Sequence, residues 1–308
     1  LFDFSFMFVA KVTGRAPLDV IKQITDRNFG ALDSGKIRYA LSYSSEGFLR
    51  SDLTIWKIST DTYFVMSGLG KDIDALITHS QNNKDCHVED LTKKIAVYSI
   101  QGPESLKVLN GIVNDERLSS IPYFGCAEFN INELYCLIGR LGYTGERGFE
   151  LVLPLENDSQ IWKSLSKKAR PCGFSAMDRL RIEAGFVLFA NEFQLSVTAD
   201  DVSLGKFTAK NFPPPSYRLI CFEAETDQAL DSWSPGLDVF PPLPGCISVT
   251  SACHQNDERG GIGLGFILEN NNKRRQQYID PLGRFTKIVE VKKPYYDTLK
   301  KRPRGSWI

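Results

Sequence analysis

Histidine is scarce in this sequence, and what is missing narrows the chemistry before any motif is considered. Three histidines, His79, His87 and His254, are the whole supply. None pairs with another at helical i, i+3 or i, i+4 spacing, so a histidine-built zinc site is not expected. The seven cysteines fall at 86, 126, 136, 172, 221, 246 and 253 without a C-x-x-C pair. An odd, scattered set of this kind reads as reduced thiols in an intracellular protein. Cys253 and His254 are neighbours, and they read as a loop pair rather than as two ligands of one metal.

Net charge is also missing. Lys plus Arg and Asp plus Glu are 37 each, which excludes a global field drawing the chain to nucleic acid or anionic membrane. No apolar run reaches the ~18 residues of a membrane span. The apolar start, Leu1 to Ala10, contains Asp3 and no basic leader, so it reads as a buried strand and not a signal peptide. Two basic runs remain, Lys273 to Arg275 and Lys300 to Arg304. The second reads as a solvated tail, with docking to an acidic partner as the alternative.

At 308 residues the chain has room for more than one core, since single cores stop growing near ~250–300 residues. Pro17 opens an expected helix with Leu18, Val20, Ile21 and Ile24 on one face. Residues 8–12 are expected to continue the first strand. Strands are expected over 37–43, 53–58 and 62–66, a helix over 71–79, and a further strand over 95–100. Helices are expected over 158–170 and from Ser175 to Phe186. Charges on the latter could pair as Asp178 with Arg181 or Arg179 with Glu183, on a face otherwise read as solvated. Phe212, three prolines and Ser216 read as a linker, because successive prolines lock φ and cannot continue a helix. Strands at 217–223, 246–250, 262–268 and 285–291, separated by turns such as Ser234-Pro-Gly, suggest a separate antiparallel barrel or sandwich.

The stretch from Gly139 to Pro154 is the most informative. Glycines at 139, 142, 145 and 148 separate two apolar runs, which predicts two strands joined by a glycine-bent connection. Glu150 stands in the second run. It could face solvent on a hairpin, or be a carboxylate awaiting a ligand with paired N–H donors. Asp52 precedes a strongly apolar strand, where a turn-capping role and a catalytic role are both open.

The run R-x-G-Y-T-G-E-x-G-F-E, here Arg140 to Glu150, resembles the aminomethyltransferase family, which includes the T-protein of the glycine cleavage system. Glu46 to Trp56 is similar to that family's G-G-x-x-D-D-L-x-V-Y, and Gly173 to Gly185 to its G-x-x-A-R-D-x-L-R-L-E-A-G. Leu1 to Met7 resembles L-F-D-V-S-H-M, which in the family follows a stretch of its own, so an upstream part is expected to be absent here. Glu290 to Tyr296 resembles the closing segment. The resemblance implies an α+β aminomethyltransferase-like fold of two α/β sandwich-type domains plus a C-terminal antiparallel β barrel. Its divisions would be 1–12 with 92–211 as the folate-binding core, 13–91 as a small domain bringing Asp52 and Tyr39, and 212–308 as the barrel.

It further implies tetrahydrofolate as the ligand. Asp52 would be catalytic, offsetting positive charge that develops during one-carbon transfer. Glu150 and Tyr143 would hold the pterin, with Tyr39, Trp56 and Met7 on the pocket wall. A pterin edge offers two N–H donors to one carboxylate, a bidentate fit, and its flat face suits aromatic side chains. The activity implied is transfer of an aminomethyl group from the lipoyl arm of a carrier protein, giving methylene-tetrahydrofolate and ammonia, in the cytoplasm or the mitochondrial matrix. Departures keep alternatives open. Met177 replaces the family's Arg, Phe6 its His, Ser51 the first Asp and Phe48 the second Gly. Thr198 to Asp201 replaces T-P-x-E, and Lys206 replaces the following aromatic, with Phe207 one place on. A tetrahydrofolate-dependent demethylase, a folate unit like that of sarcosine or dimethylglycine dehydrogenases, or a non-catalytic folate-binding protein are the other readings. No G-x-G-x-x-G follows a strand to bind a flavin.

Overall fold

The computed structural model describes residues 1–29, 32–209, 214–227, 230, 241–254, 260–268 and 277–306. The first part of the chain gives β1 (Phe2–Asp3), β2 (Phe8–Gly14), α1 (Pro17–Ile21), β3 (Lys36–Tyr43), β4 (Leu49–Ser59), β5 (Thr62–Ser67), α2 (Gly70–Ser80) and β6 (Cys86–Asp90). The middle gives β7 (Ile95–Gln101), α3 (Ser105–Val113), α4 (Arg117–Ser120), β8 (Cys126–Ile131), β9 (Leu134–Gly139), β10 (Gly148–Pro154), α5 (Asp158–Ser166), α6 (Phe174–Glu183) and α7 (Phe189–Glu192). The last part gives β11 (Tyr217–Glu225), β12 (Ser248–His254), β13 (Gly260–Leu268), β14 (Gln277–Tyr278), β15 (Thr286–Val291) and α8 (Lys301–Arg304).

These strands form three antiparallel sheets: β1-β7-β10-β9-β8, β3-β4-β5-β2-β6 and β12-β13-β11-β15-β14. Alternation along each strand decides which face meets what. On β10, Phe149, Leu151 and Leu153 join Tyr98, Leu109, Leu118 and Ile161 under α3, α4 and α5. The opposite face of that strand, with Val152, meets Ile37, Trp56, Phe64 and Met66 of the second sheet. The second sheet's far face carries Val12, Ile55 and Val65 against Val20, Ile21 and Leu76 of α1 and α2. The result is four layers, helices–sheet–sheet–helices, with an apolar seam between the two sheets. Glu150 lies on the seam side of β10, and a one-residue slip would drive its carboxylate under the helices.

The third sheet packs Leu219, Cys221, Leu264 and Phe266 onto Leu41, Leu49, Val187 and Phe193. Its edge strands are β12 and β14. Among the described residues a parallel bridge, Cys246 to Ile279, joins their continuations and brings the two edges together around Phe222, Val249, Phe285 and Ile288.

Several expectations change. Residues 8–12 do not continue the first strand: β2 pairs with β5 and β6 in the second sheet. Cys253 and His254 are not in a loop but in β12, paired with Ile262 and Gly261. The run from Lys300 to Arg304 is not a solvated tail. Pro303 is buried, Arg140 donates to the carbonyls of Pro303 and Gly305, and Arg147 donates to that of Arg302. The start of the proline linker, the turn at Ser234 and the basic run at Lys273 lie outside the described residues.

Candidate functional site

Asp52 and Tyr39 face the seam from adjacent strands. β3 and β4 pair Tyr39 with Thr54 and Leu41 with Asp52. Along β4 the side chains of Leu53 and Ile55 enter the α1–α2 core, while Asp52, Thr54 and Trp56 turn to the other side. The Tyr39 hydroxyl donates to Asp52 Oδ2 at 2.8 Å. Burial pushes the Asp52 carboxyl up to about 6, against the lowering effect of that hydrogen bond, and nearby Asp72 and Glu192 add to the rise. The same depth, together with Asp52, holds the Tyr39 phenol well above its ordinary value. Yet both residues keep accessible surface. Both side chains are thus desolvated and still reachable from solvent.

A polar cluster under β4 fixes this geometry. Asp72 of α2 is fully buried and accepts from Ser42 Oγ at 3.0 Å, Ser67 Oγ at 2.7 Å, Arg50 Nη2 at 2.6 Å and also Ser51 Oγ. Where the resemblance places a first aspartate, Ser51 therefore meets a carboxylate supplied from the neighbouring helix.

The hairpin of β9 and β10 supplies the other half. Glu150 pairs with Gly139 on one side and Ser99 on the other. Gly139 has to be glycine because a Cβ there would overlap the Trp56 indole. Gly142 and Gly148 both pack against the Gln101 amide, and Gly145 alone of the four takes a positive φ, +75°. Gln101 in turn donates to Ser99 Oγ at 3.0 Å and to the Leu141 carbonyl at 3.2 Å, and accepts from Thr144 Oγ1 at 3.1 Å. The hairpin is thus pinned on both flanks of Glu150. Burial alone pushes the Glu150 carboxyl up to about 7. Among the described residues it has no hydrogen bond or ion pair, although it too keeps accessible surface.

Tyr143 closes the wall. Its hydroxyl donates to the Val187 carbonyl and its ring stacks on Phe186, centroids 5.9 Å apart at 12°. Burial raises its phenol well above the ordinary value; Arg181 opposes the rise, while Asp52 and Glu192 add to it. Tyr39, Asp52 and Tyr143 are thus within electrostatic reach of one another. Met7, Met177 and Tyr143 share the Trp56 cluster.

Not every expected wall residue presents itself. Trp56 is fully buried, its Nε1 donating to Thr54 Oγ1 at 3.0 Å, so it backs Glu150 and offers no ring face to a ligand. Met177, in the arginine position, is buried in the same apolar cluster. Phe6 is 53% exposed and sets its edge on Phe174. Phe207 packs edge-on against Tyr39 at 5.0 Å, recovering the aromatic one place later.

Sequence reasoning missed a buried network beneath this wall. Arg181, expected on a solvated face, is fully buried and donates to Asp178 at 2.8 Å, Glu192 at 3.1 Å, Ser251 at 2.6 Å and the Phe186 carbonyl at 3.2 Å. Glu192 also accepts from the Leu188 N–H, Thr250 and Ser251. It thereby holds the turn whose Val187 carbonyl receives Tyr143. The expected pairing of Arg179 with Glu183 is present at 3.0 Å.

A cavity of about 250 Å³ lies at the far end of the seam, lined by residues such as Lys11, Glu89, Glu128 and Pro154. None of the site residues reaches it. No cluster of three His, Cys, Asp or Glu residues that could hold a metal occurs among the described residues, and no helix there is long and apolar enough to cross a membrane.

Residues 1–211 match the model of the GCVT N-terminal domain family. An aminomethyltransferase of Streptomyces avermitilis is 31% identical over 235 residues, which is 74% of this chain but 59% of that protein. One of Bacteroides fragilis is 29% identical over 324 aligned positions, covering 96% of this chain and 87% of that protein. The fold matches a crystal structure of glycine cleavage system aminomethyltransferase T from Bartonella henselae with a TM-score of 0.72 at 18% identity, covering 96% and 85% of the two chains. With the matched segment spanning both Asp52 and Glu150, the chain belongs to the GCVT aminomethyltransferase family, a family of transferases.

Proposed function

We propose that this chain binds tetrahydrofolate in the recess between Asp52 and Glu150 and transfers an aminomethyl group to it from the lipoyl arm of a carrier protein. The observation that carries the reading is Glu150: a desolvated carboxylate without a partner among the described residues, pinned on both sides and keeping accessible surface. Leaving such a group unpaired is costly. A pterin edge offers two N–H donors at the spacing of one carboxylate and would satisfy it.

In the reaction, the bonds from carbon to sulfur and to ammonia nitrogen break, and two carbon–nitrogen bonds to tetrahydrofolate form. Of the two N–H protons given up, one leaves with ammonia and one returns to the thiol. Asp52 suits this task. With its carboxyl pushed up to about 6 it can accept a proton near neutrality, and once ionised it opposes positive charge on the transferred carbon. The Tyr39 hydroxyl orients that carboxylate, and the Tyr143 and Phe186 rings give the ligand an apolar wall.

Turnover of an aminomethyl-lipoyl carrier protein with tetrahydrofolate tests the reading. Wild-type protein should release ammonia and methylene-tetrahydrofolate, and Asp52→Asn should lose roughly 10²–10⁴ of the rate while binding tetrahydrofolate normally. Full activity in Asp52→Asn would remove Asp52 from the mechanism. Met177 favours a second reading: an apolar residue in the arginine position changes the surroundings of the ligand and suits a demethylase acting on a small methylated amine. Turnover of such a donor, without turnover of the lipoyl carrier, would select it.

A further inference from the structure

The segment after β15 returns to the site and brings two lysines that form no salt bridge among the described residues. The Lys300 ammonium donates to the Ala184 carbonyl at 2.6 Å and stands 4.2 Å from the centre of the Phe186 ring. Phe186 is the ring that stacks on Tyr143. Lys293 packs its stem on Gly185, in the same turn, and its ammonium has a 3.4 Å contact with the Val202 carbonyl.

Each ammonium has three N–H donors and a full charge. One carbonyl apiece, with a ring face for Lys300, leaves most of that capacity unused. Asp297 offsets part of the Lys300 charge and Glu192 part of that of Lys293, but neither carboxylate is hydrogen-bonded to them. Asp297 accepts from the backbone N–H groups of Lys301 and Arg302 at 2.8 and 2.7 Å, and Glu192 is held by Arg181, Leu188, Thr250 and Ser251. Cys221, close to both lysines, stays a neutral thiol because burial pushes it up to about 12. Arg304 adds further positive charge beside Lys300, whose own value falls to about 8, chiefly through burial. Burying unpaired cations is unfavourable, and an incoming anion would relieve that cost.

We propose that Lys293 and Lys300 form the receptor for an anionic group, and that the group is the glutamate tail of tetrahydrofolate, whose ring end lies at Glu150. This rests on the folate reading above. It follows from the position of the lysines along the Tyr143–Phe186 wall; Met177, in the arginine position, is buried among apolar side chains and offers no charge to an anion.

Calorimetric titration with two ligands tests it: tetrahydrofolate, and 6-methyltetrahydropterin, which has the same ring and no tail. Lys300→Met and Lys293→Met should each weaken tetrahydrofolate about tenfold, the scale of a charged hydrogen bond. They should leave the tail-less pterin within about twofold, and Lys300→Arg should restore binding. Inorganic phosphate should compete with tetrahydrofolate and not with the tail-less pterin. The proposal is overturned if both methionine variants bind tetrahydrofolate as wild type does, or if they weaken both ligands equally, a structural effect. It is also overturned if phosphate binds the lysines without displacing tetrahydrofolate, which would mark a site for free anions. Glu150→Gln separates the two claims. Weakening both ligands while the lysine variants change nothing leaves the ring reading intact and removes the tail site. Wild-type protein that binds neither ligand removes both.

Discussion

Replacing Glu150 by glutamine should stabilise the ligand-free protein above neutral pH, and the size follows from the site. Burial raises the Glu150 carboxyl from 4.5 to about 7, with no opposing partner. At ~1.4 kcal/mol per pKa unit the shift bounds the penalty near ~3 kcal/mol. The accessible surface that remains brings the expectation to about 1–3 kcal/mol. The sign runs as linkage requires. At low pH the carboxyl is protonated in both states and costs nothing. As pH rises from 4.5 toward 7 the unfolded chain ionises first, so stability falls, and above 7 the full penalty persists. Asp52 adds a slope of the same sign between 3.8 and about 6, so the difference between wild type and variant is the quantity to read. Denaturant unfolding across that range should show Glu150→Gln equal to wild type in acid and more stable by about 1–3 kcal/mol in mild alkali. Equal stability at all pH values, or a variant less stable in alkali, would mean that Glu150 is already paired in the folded state. The account of the site would then fail at its first step.

Gly139→Ala should cost about 1–3 kcal/mol, because the new methyl overlaps the Trp56 indole; combining it with Trp56→Phe should recover part of the loss in thermal unfolding. Tyr39→Phe removes the hydrogen bond that lowers the Asp52 carboxyl, so the acidic limb of the pH–rate profile should move to higher pH, and an unmoved limb would show that Asp52 does not set it.

The parts of this molecule that were legible in the sequence are those written in short range. The glycine-bent hairpin and the strand glutamate each lie within about a dozen residues, and alternation on β10 places Glu150 on the seam by itself; Asp52, expected just before a strand, lies inside β4, paired with Leu41. The unread parts depend on partners far along the chain. Arg181 resembled a solvated helix charge because its acceptors include Glu192 on the next helix and Ser251 seventy positions on. Trp56 resembled a pocket aromatic, but the absence of a side chain at Gly139 draws it fully inside. The basic run ending at Arg304 carried the composition of a free tail, and it is the guanidinium-to-carbonyl bonds from Arg140 and Arg147, with the ion pair of Arg302 and Glu146, that dock it on the hairpin. Residues 8–12 are apolar enough for either sheet, and pairing with β5 and β6 decides between them.

A crystal structure of the protein soaked with tetrahydrofolate tests the central claim most directly. The account predicts the pterin edge hydrogen-bonded to both oxygens of Glu150, the reactive nitrogens turned to Asp52, and Tyr143 beside the ring. Pterin density elsewhere, for instance in the cavity between Lys11 and Glu128 at the other end of the seam, with Glu150 untouched, would contradict it.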